Sequence, residues 1–247
     1  MNYADKVIAI NNYSASMFPL KPSTIVHDWI DFKDRYENMP YDDIFKEDMH
    51  DKKVFLYTGG QQKIKGALEV VKAFVKAPKD ASMRLLIVGD ISYPPLIGWR
   101  GKLKKFLIKL GVKPYYYELN ELLIHNSDII KVIPTTYKLE HIIDQCYCFI
   151  SYFTIPHANL AMAECIIKDK VCIAALNEES LEYSNNGQLA FLVSPHNLNA
   201  LQKCIEAIGD NYDRKLLEIK QSSEIVKKMF SKDFNIDKLN KVINELC

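Results

Sequence analysis

The chain is predicted to adopt an α/β fold built on a doubly wound, parallel, Rossmann-like sheet, and three observations carry that prediction. From residue 54 onward short apolar runs alternate with helix-forming stretches, the pattern of strand–helix–strand units joined by right-handed crossovers. The runs at 54–58, 148–153 and 171–175 are apolar at consecutive positions, broken only by Thr58 and Ser151, rather than at every second residue, as in strands buried on both faces. Polar segments carrying Gly or Pro separate several runs from the helix that follows, so the loops that could meet a ligand gather at the carboxyl ends of the strands.

Taken in order, residues 6–10 form a short strand-like run and 12–18 a helix-like one, before Pro19 and Pro22 break the chain. A second strand follows at 23–27, and the polar segment 28–53 reads as a linker or excursion. The regular series then runs strand 54–58, helix 66–76, strand 83–88, helix 99–110, strand 129–133, helix 138–146, strand 148–153, helix 160–168 and strand 171–175. A polar loop, a strand at 190–193, a helix at 198–208 and a helical pair from about 213 to 246 complete the chain.

Composition narrows the partners. At 247 residues and 48% apolar content the chain can bury a substantial core, as one large domain or one domain with part of another. A formal net charge of +1, with basic residues spread along the chain, offers no field to gather nucleic acid. The six cysteines show no paired metal-type spacing and several lie in apolar runs, so they read as reduced core thiols of a cytoplasmic protein. No leader-like segment and no bilayer-length apolar run is present, which agrees with a cytoplasmic location.

Residues 148–175 are the stretch around which the rest is organised: strand, loop with Pro156, helix, strand. Asn159 stands at the helix N-cap, so the free amides of Leu160, Ala161 and Met162 would point into the loop, where an anion belongs. Glu164, one turn further in, suits a neutral polyol such as a ribose, while Met162, Ile166 and Ile167 pack on the sheet. The loop after the first regular strand offers Gly59 and Gly60, which permit close backbone approach to a phosphate, and Lys65 as a point charge. Alone, that loop reads more readily as a glycine turn ahead of an amphipathic helix than as a phosphate site; it is neither a dinucleotide fingerprint nor a P-loop.

In combination, the segments at 4–10, 25–31, 57–60 with Lys65 and Gly66, 86–90, 156–164 and 190–195 resemble the C-terminal, nucleotide-sugar-binding half of retaining family-4 glycosyltransferases of GT-B architecture. The resemblance covers nearly the whole chain. It implies that residues 1–30 are a remnant of the N-terminal domain and hinge, 31–222 the nucleotide-sugar domain, and 223–247 a helix that crosses back to the N-terminal domain. Most of the acceptor half is therefore missing, and a partner chain could supply it. By the same resemblance Glu164 is the second acid of the Glu-x7-Glu motif and holds the ribose of a UDP- or GDP-sugar, while the first acid is replaced by Pro156. His157, with Ala158 and Asn159, would lie under the sugar; the amides at Leu160 and Ala161 would meet the distal phosphate; Lys65 would neutralise the diphosphate. Ile133, Pro134 and Thr135 would flank the base. Lys65, His157 and Glu164 are the candidate catalytic residues. The implied chemistry retains the anomeric configuration, uses the departing diphosphate as base, and calls for neither a cofactor nor a metal, in keeping with the absence of any Asp-x-Asp.

Other features point elsewhere. Glu178, Glu179 and Glu182 could be read as paired hydrolase carboxylates, but a solvated acidic loop explains them better. His27, His125, His141 and His196 lack ligand spacing. Lys102, Lys104, Lys105 and Lys109, set among Trp99, Leu103 and Phe106, could touch the anionic inner face of a membrane; a lysine-rich solvent face is the plainer reading. A second functional class stays open throughout: a binding module that holds a nucleotide without catalysis, or one subunit of a split transferase.

Overall fold

A computed structural model describes residues 6–32, 39–77, 80–92, 99, 106, 108, 110–111, 113–157 and 159–246. The central sheet is six-stranded and wholly parallel, made of β3 (Lys53–Thr58), β4 (Met83–Val88), β5 (Ile130–Ile133), β6 (Cys148–Ser151), β7 (Val171–Ala175) and β8 (Phe191–Val193). Its order is β5-β4-β3-β6-β7-β8, so the chain winds outward one way from β3 and the other way from β6. The four inner strands explain the continuous apolar runs: residues 54–57, 84–88, 148–151 and 171–175 are all buried, whereas the edge strands β5 and β8 are only partly so. A separate two-stranded parallel sheet precedes it, β1 (Val7–Ala9) with β2 (Ser23–Ile25), joined by α1 (Asn12–Ser16).

The helices follow their apolar stripes. In α3 (Ala67–Lys76), Ala67, Val70, Val71 and Phe74 face inward at helical spacing, and Glu69 and Lys76 complement the helix dipole at its two ends. α5 (Leu139–Gln145) buries Ile142 and Ile143, and α6 (Leu160–Ile167) buries Met162, Ala163, Cys165 and Ile166.

Three expectations are corrected. The polar segment 28–53 holds α2 (Tyr41–Phe45), whose Tyr41 and Phe45 are buried and whose Tyr41 hydroxyl donates to Ile142 O at 2.6 Å. A helix that the apolar pattern did not announce, α4 (Tyr115–His125), precedes β5. The helix expected at 198–208 does not stop there: α8 (Leu198–Met229) runs 32 residues straight through Gly209. The lysine-rich helix expected at 99–110 lies largely outside the described residues, and Lys102, Lys104, Lys105 and Lys109 with it.

The C-terminal α9 (Lys232–Leu246) turns back onto the small sheet. Buried Asn235 accepts from His27 N at 2.9 Å and donates to Met229 O at 2.8 Å, and Lys238 Nζ donates to Ile25 O at 3.1 Å. Among the described residues no helix is long and apolar enough to cross a membrane.

Candidate functional site

The order of the sheet makes β3 and β6 its switch point, because the connections leaving these two neighbours go to opposite sides. A crevice opens beside it at the carboxyl edge, over the loops that leave β3, β4 and β5, the usual edge for a ligand in such a sheet.

Its floor is built by glycines. Gly59, Gly60 and Gly89 all adopt φ between +64° and +143°, which only glycine takes without strain. They let the loops after β3 and β4 touch: a Cβ on Gly89 would lie 2.6 Å from Gly60 N. Gln61 then ties the two loops through Ser92, accepting from its amide at 2.8 Å and donating to its hydroxyl at 3.1 Å. The resulting cleft, about 440 Å³, is lined on one side by residues 58–62 with Lys65 and on the other by Gly89, Asp90, Thr135 and Thr136.

Lys65 reaches this cleft from a 3-10 turn, Lys63–Lys65, that Gly66 ends in the left-handed conformation. The buried Tyr57 hydroxyl donates to Lys65 O at 3.0 Å, and Thr154 N donates to Ile64 O at 3.0 Å, so the turn is held against both β3 and the loop after β6. Lys65 Nζ lies 5.8 Å from the centre of the Phe153 ring, and the His157 ring centre lies 5.4 Å from the same ring. Two of the three candidate catalytic side chains thus neighbour one aromatic ring just beyond β6, with His157 exposed.

Asn159 is the N-cap of α6: its side chain accepts from Met162 N at 3.4 Å and donates to Ser151 Oγ. Leu160 and Ala161 open the helix, half-buried. The amides of His157 and Asn159, however, both donate to the carboxylate of Glu179. Glu179 belongs to α7 (Glu178–Tyr183), which overturns the expectation of a solvated acidic loop at 178–182. Burial, first of all, pushes its carboxyl up to about 7; Glu182 adds to the rise and the two amide bonds oppose it. Glu182 is equally structural, accepting from His27 Nε2 at 2.8 Å and from Asn12 N at 2.9 Å.

The third candidate, Glu164, faces an adjoining cleft of about 430 Å³ shared with Trp29, Asp31, Tyr137, Glu140 and Leu160. Leu139 is the common wall of the two clefts, so Lys65 and Glu164 serve adjacent spaces on the same edge of the sheet. Burial and then the nearby Glu140 raise the Glu164 carboxyl, while Lys168 opposes them. Lys168 also pairs with Glu140 at 3.2 Å and Asp144 at 2.7 Å, holding α5 and α6 together.

Among the predicted base-flanking residues, Thr135 lines the first cleft, Ile133 ends β5 with its carbonyl accepting from Gly89 N at 3.0 Å, and Pro134 is exposed just beyond. Asp90, Thr136 and Leu139 were not singled out from the sequence as site residues, and Glu179 was set aside there as part of a solvated acidic loop. Asp90 follows an apolar strand and a glycine, a signal that was there to be used; Glu179 left none, because its partners lie 20 and 22 residues away.

No protein-family model matches the chain, and no curated protein is significantly similar to it in sequence. Solved structures do match. HepE of Anabaena in complex with UDP-glucose superposes with a TM-score of 0.73 at 15% identity, over 98% of this chain and 65% of that one. A glycosyltransferase of Rickettsia africae gives 0.72 at 17% identity, over 98% and 63%. Sucrose-phosphate synthase of Thermosynechococcus elongatus gives 0.72 at 17%, over 98% and 58%. The chain therefore spans less than two thirds of the length of these proteins. These neighbours are GT-B glycosyltransferases, and the fold of this chain is their Rossmann-like α/β fold.

Proposed function

We propose that the chain binds a nucleoside diphosphate sugar and is the C-terminal, donor-binding half of a retaining family-4-like glycosyltransferase that builds a polysaccharide or glycoconjugate. The observation that carries this reading is the pair of clefts that share Leu139, with Lys65 in one, Glu164 in the other and Leu160 at the α6 amino terminus lining the second. Structural neighbours whose complexes contain UDP or UDP-glucose support it.

In this reading the diphosphate lies between Lys65 and the Leu160 and Ala161 amides. A charge-assisted contact from Lys65 contributes about 1.5–3 kcal/mol and the helix terminus about 0.3–1 kcal/mol more. Glu164 accepts from the ribose hydroxyls, Thr135 flanks the base, and His157 stands over Phe153 at the sugar end. As the glycosidic bond to the donor breaks, the departing diphosphate takes the proton of the acceptor hydroxyl, and the sugar is delivered on the same face; Lys65 and the amides stabilise the charge that develops. A separate N-terminal half, presented at the inner face of the membrane, would complete the acceptor side. β1, β2 and α9 are the surface it would meet: Ile8, Met17, Leu20 and Ile243 are exposed there.

The non-catalytic alternative is favoured by one observation, Pro156 at the position of the first motif acid. Titration calorimetry with UDP and GDP tests the shared part. Binding that weakens about tenfold or more in Lys65→Ala is expected, and absence of heat at millimolar nucleotide refutes it. Transfer or donor hydrolysis then separates enzyme from module.

A further inference from the structure

The loop between β6 and α6 is held by an acid that belongs to neither element. Glu179 is only 3% exposed, and its two carboxylate oxygens take the main-chain amides of His157 and Asn159. α7 is itself immobilised at that point: Asn177 caps it, Ser180 completes a reciprocal capping box, and Asn177 Nδ2 donates to Phe153 O at 3.2 Å. Asn159, 8% exposed, is gripped from the other side through Ser151 Oγ and Met162 N. Two alternate amides converging on one acid form the kind of concavity that elsewhere receives a phosphate. Here the protein fills it with a side chain of its own.

We propose that Glu179 is a positioning residue for the diphosphate: as a built-in anion it fixes the backbone at His157 and Asn159, turns the His157 ring and the α6 amino terminus to the cleft, and withholds the His157 and Asn159 amides from the ligand. The proposal rests on the nucleotide-sugar reading of the site. It accounts for a buried acid at a position that a neutral residue of similar shape would fill without loss of packing. The groups around Glu179 are Glu182 and Tyr183 on its own helix, His157 on the loop, and His27, which closes on Glu182 from the end of β2.

Glu179→Gln in the full chain tests this, with Glu178→Gln, one residue away and exposed, as the control. Glutamine keeps the size and one acceptor but turns an NH2 toward the second amide. UDP affinity at pH 8 is expected to fall about tenfold in Glu179→Gln and to stay unchanged in Glu178→Gln, while the melting temperature of Glu179→Gln holds or rises. In the ligand-free wild-type protein, the amide resonances of His157 and Asn159 should titrate near pH 7, and Glu179→Gln should abolish that titration. Unchanged UDP affinity in Glu179→Gln, or affinity and melting temperature falling together, overturns the positioning role. Flat amide resonances in the wild-type protein overturn the built-in anion even if UDP binds, whereas titrating resonances without UDP binding refute the nucleotide reading instead.

Discussion

Gly66→Ala is the sharpest test of how the site is assembled. Gly66 ends the Lys63–Lys65 turn and begins α3 at φ +75° and ψ 26°, so an L-residue there pays about 1–2 kcal/mol for the left-handed conformation alone. A Cβ at this position would sit 2.5 Å from Tyr152 O and 2.8 Å from Tyr152 Cδ1. Tyr152 is fully buried beside β6 and its hydroxyl donates to Ser194 O at 3.4 Å, so the clash must move either the strand end or the start of α3. Overpacking of that kind costs about 1–3 kcal/mol. The combined loss, about 2–5 kcal/mol, is a large share of an ordinary domain stability of about 5–15 kcal/mol. Guanidinium unfolding followed by circular dichroism measures it, and UDP affinity measured alongside should fall because Lys65 is displaced with the turn. Gly209→Ala is the internal control: it lies within α8, where a Cβ meets nothing within 4 Å, and alanine there should stabilise by about 0.5–1 kcal/mol. A loss below about 1 kcal/mol for Gly66→Ala refutes the view that α3 and β6 meet in a hard contact.

The remaining predictions concern the three acids. Glu164→Ala should weaken UDP binding by roughly tenfold, about 1.4 kcal/mol, with little change in melting temperature; parallel loss of both would make Glu164 structural. Glu179, raised from 4.5 to about 7 in the folded state, contributes stability that is present below pH 4.5 and lost as pH rises through 7, roughly 3 kcal/mol in all. Glu179→Gln should therefore gain stability relative to wild type between pH 5 and pH 8, and equal pH profiles in urea unfolding would contradict this. Glu182→Ala strands His27 Nε2 and Asn12 N, both of which it now pairs, and should destabilise by about 2–4 kcal/mol in the same assay.

What could be read from the sequence was what is local. The β3, β4, β6 and β7 runs were legible because strands covered on both faces need apolar residues throughout, and Asn159 because a cap acts on an amide three residues away. Gly59, Gly60 and Lys65 were legible as a loop but not as a floor, since the contact with Gly89 depends on two strands pairing in register. α2 and α4 were missed for a related reason: five residues of α2 hold only through tertiary burial of Tyr41 and Phe45, and the polar residues of α4 mask its single fully buried residue, Leu119. The apparent gap at 209–212 misled because one glycine in a helix of 32 residues costs only about 1 kcal/mol, which the buried positions on either side absorb. The acids at 178–182 look solvated in any local window; the amides and the imidazole that they satisfy are remote in sequence.

The backbone contact between Gly60 and Gly89 also decides where this protein can adapt. With no side chain between them and Gln61 laced to Ser92 across the join, this end of the crevice is a fixed template. On the nucleotide-sugar reading proposed above, accommodation of a wider or narrower base would fall to the opposite rim, where Thr135 is exposed and its hydroxyl meets Asp90 at 3.4 Å. On that same reading, exchanges at this rim would retune which nucleotide is preferred while leaving the hold on its phosphates as it was.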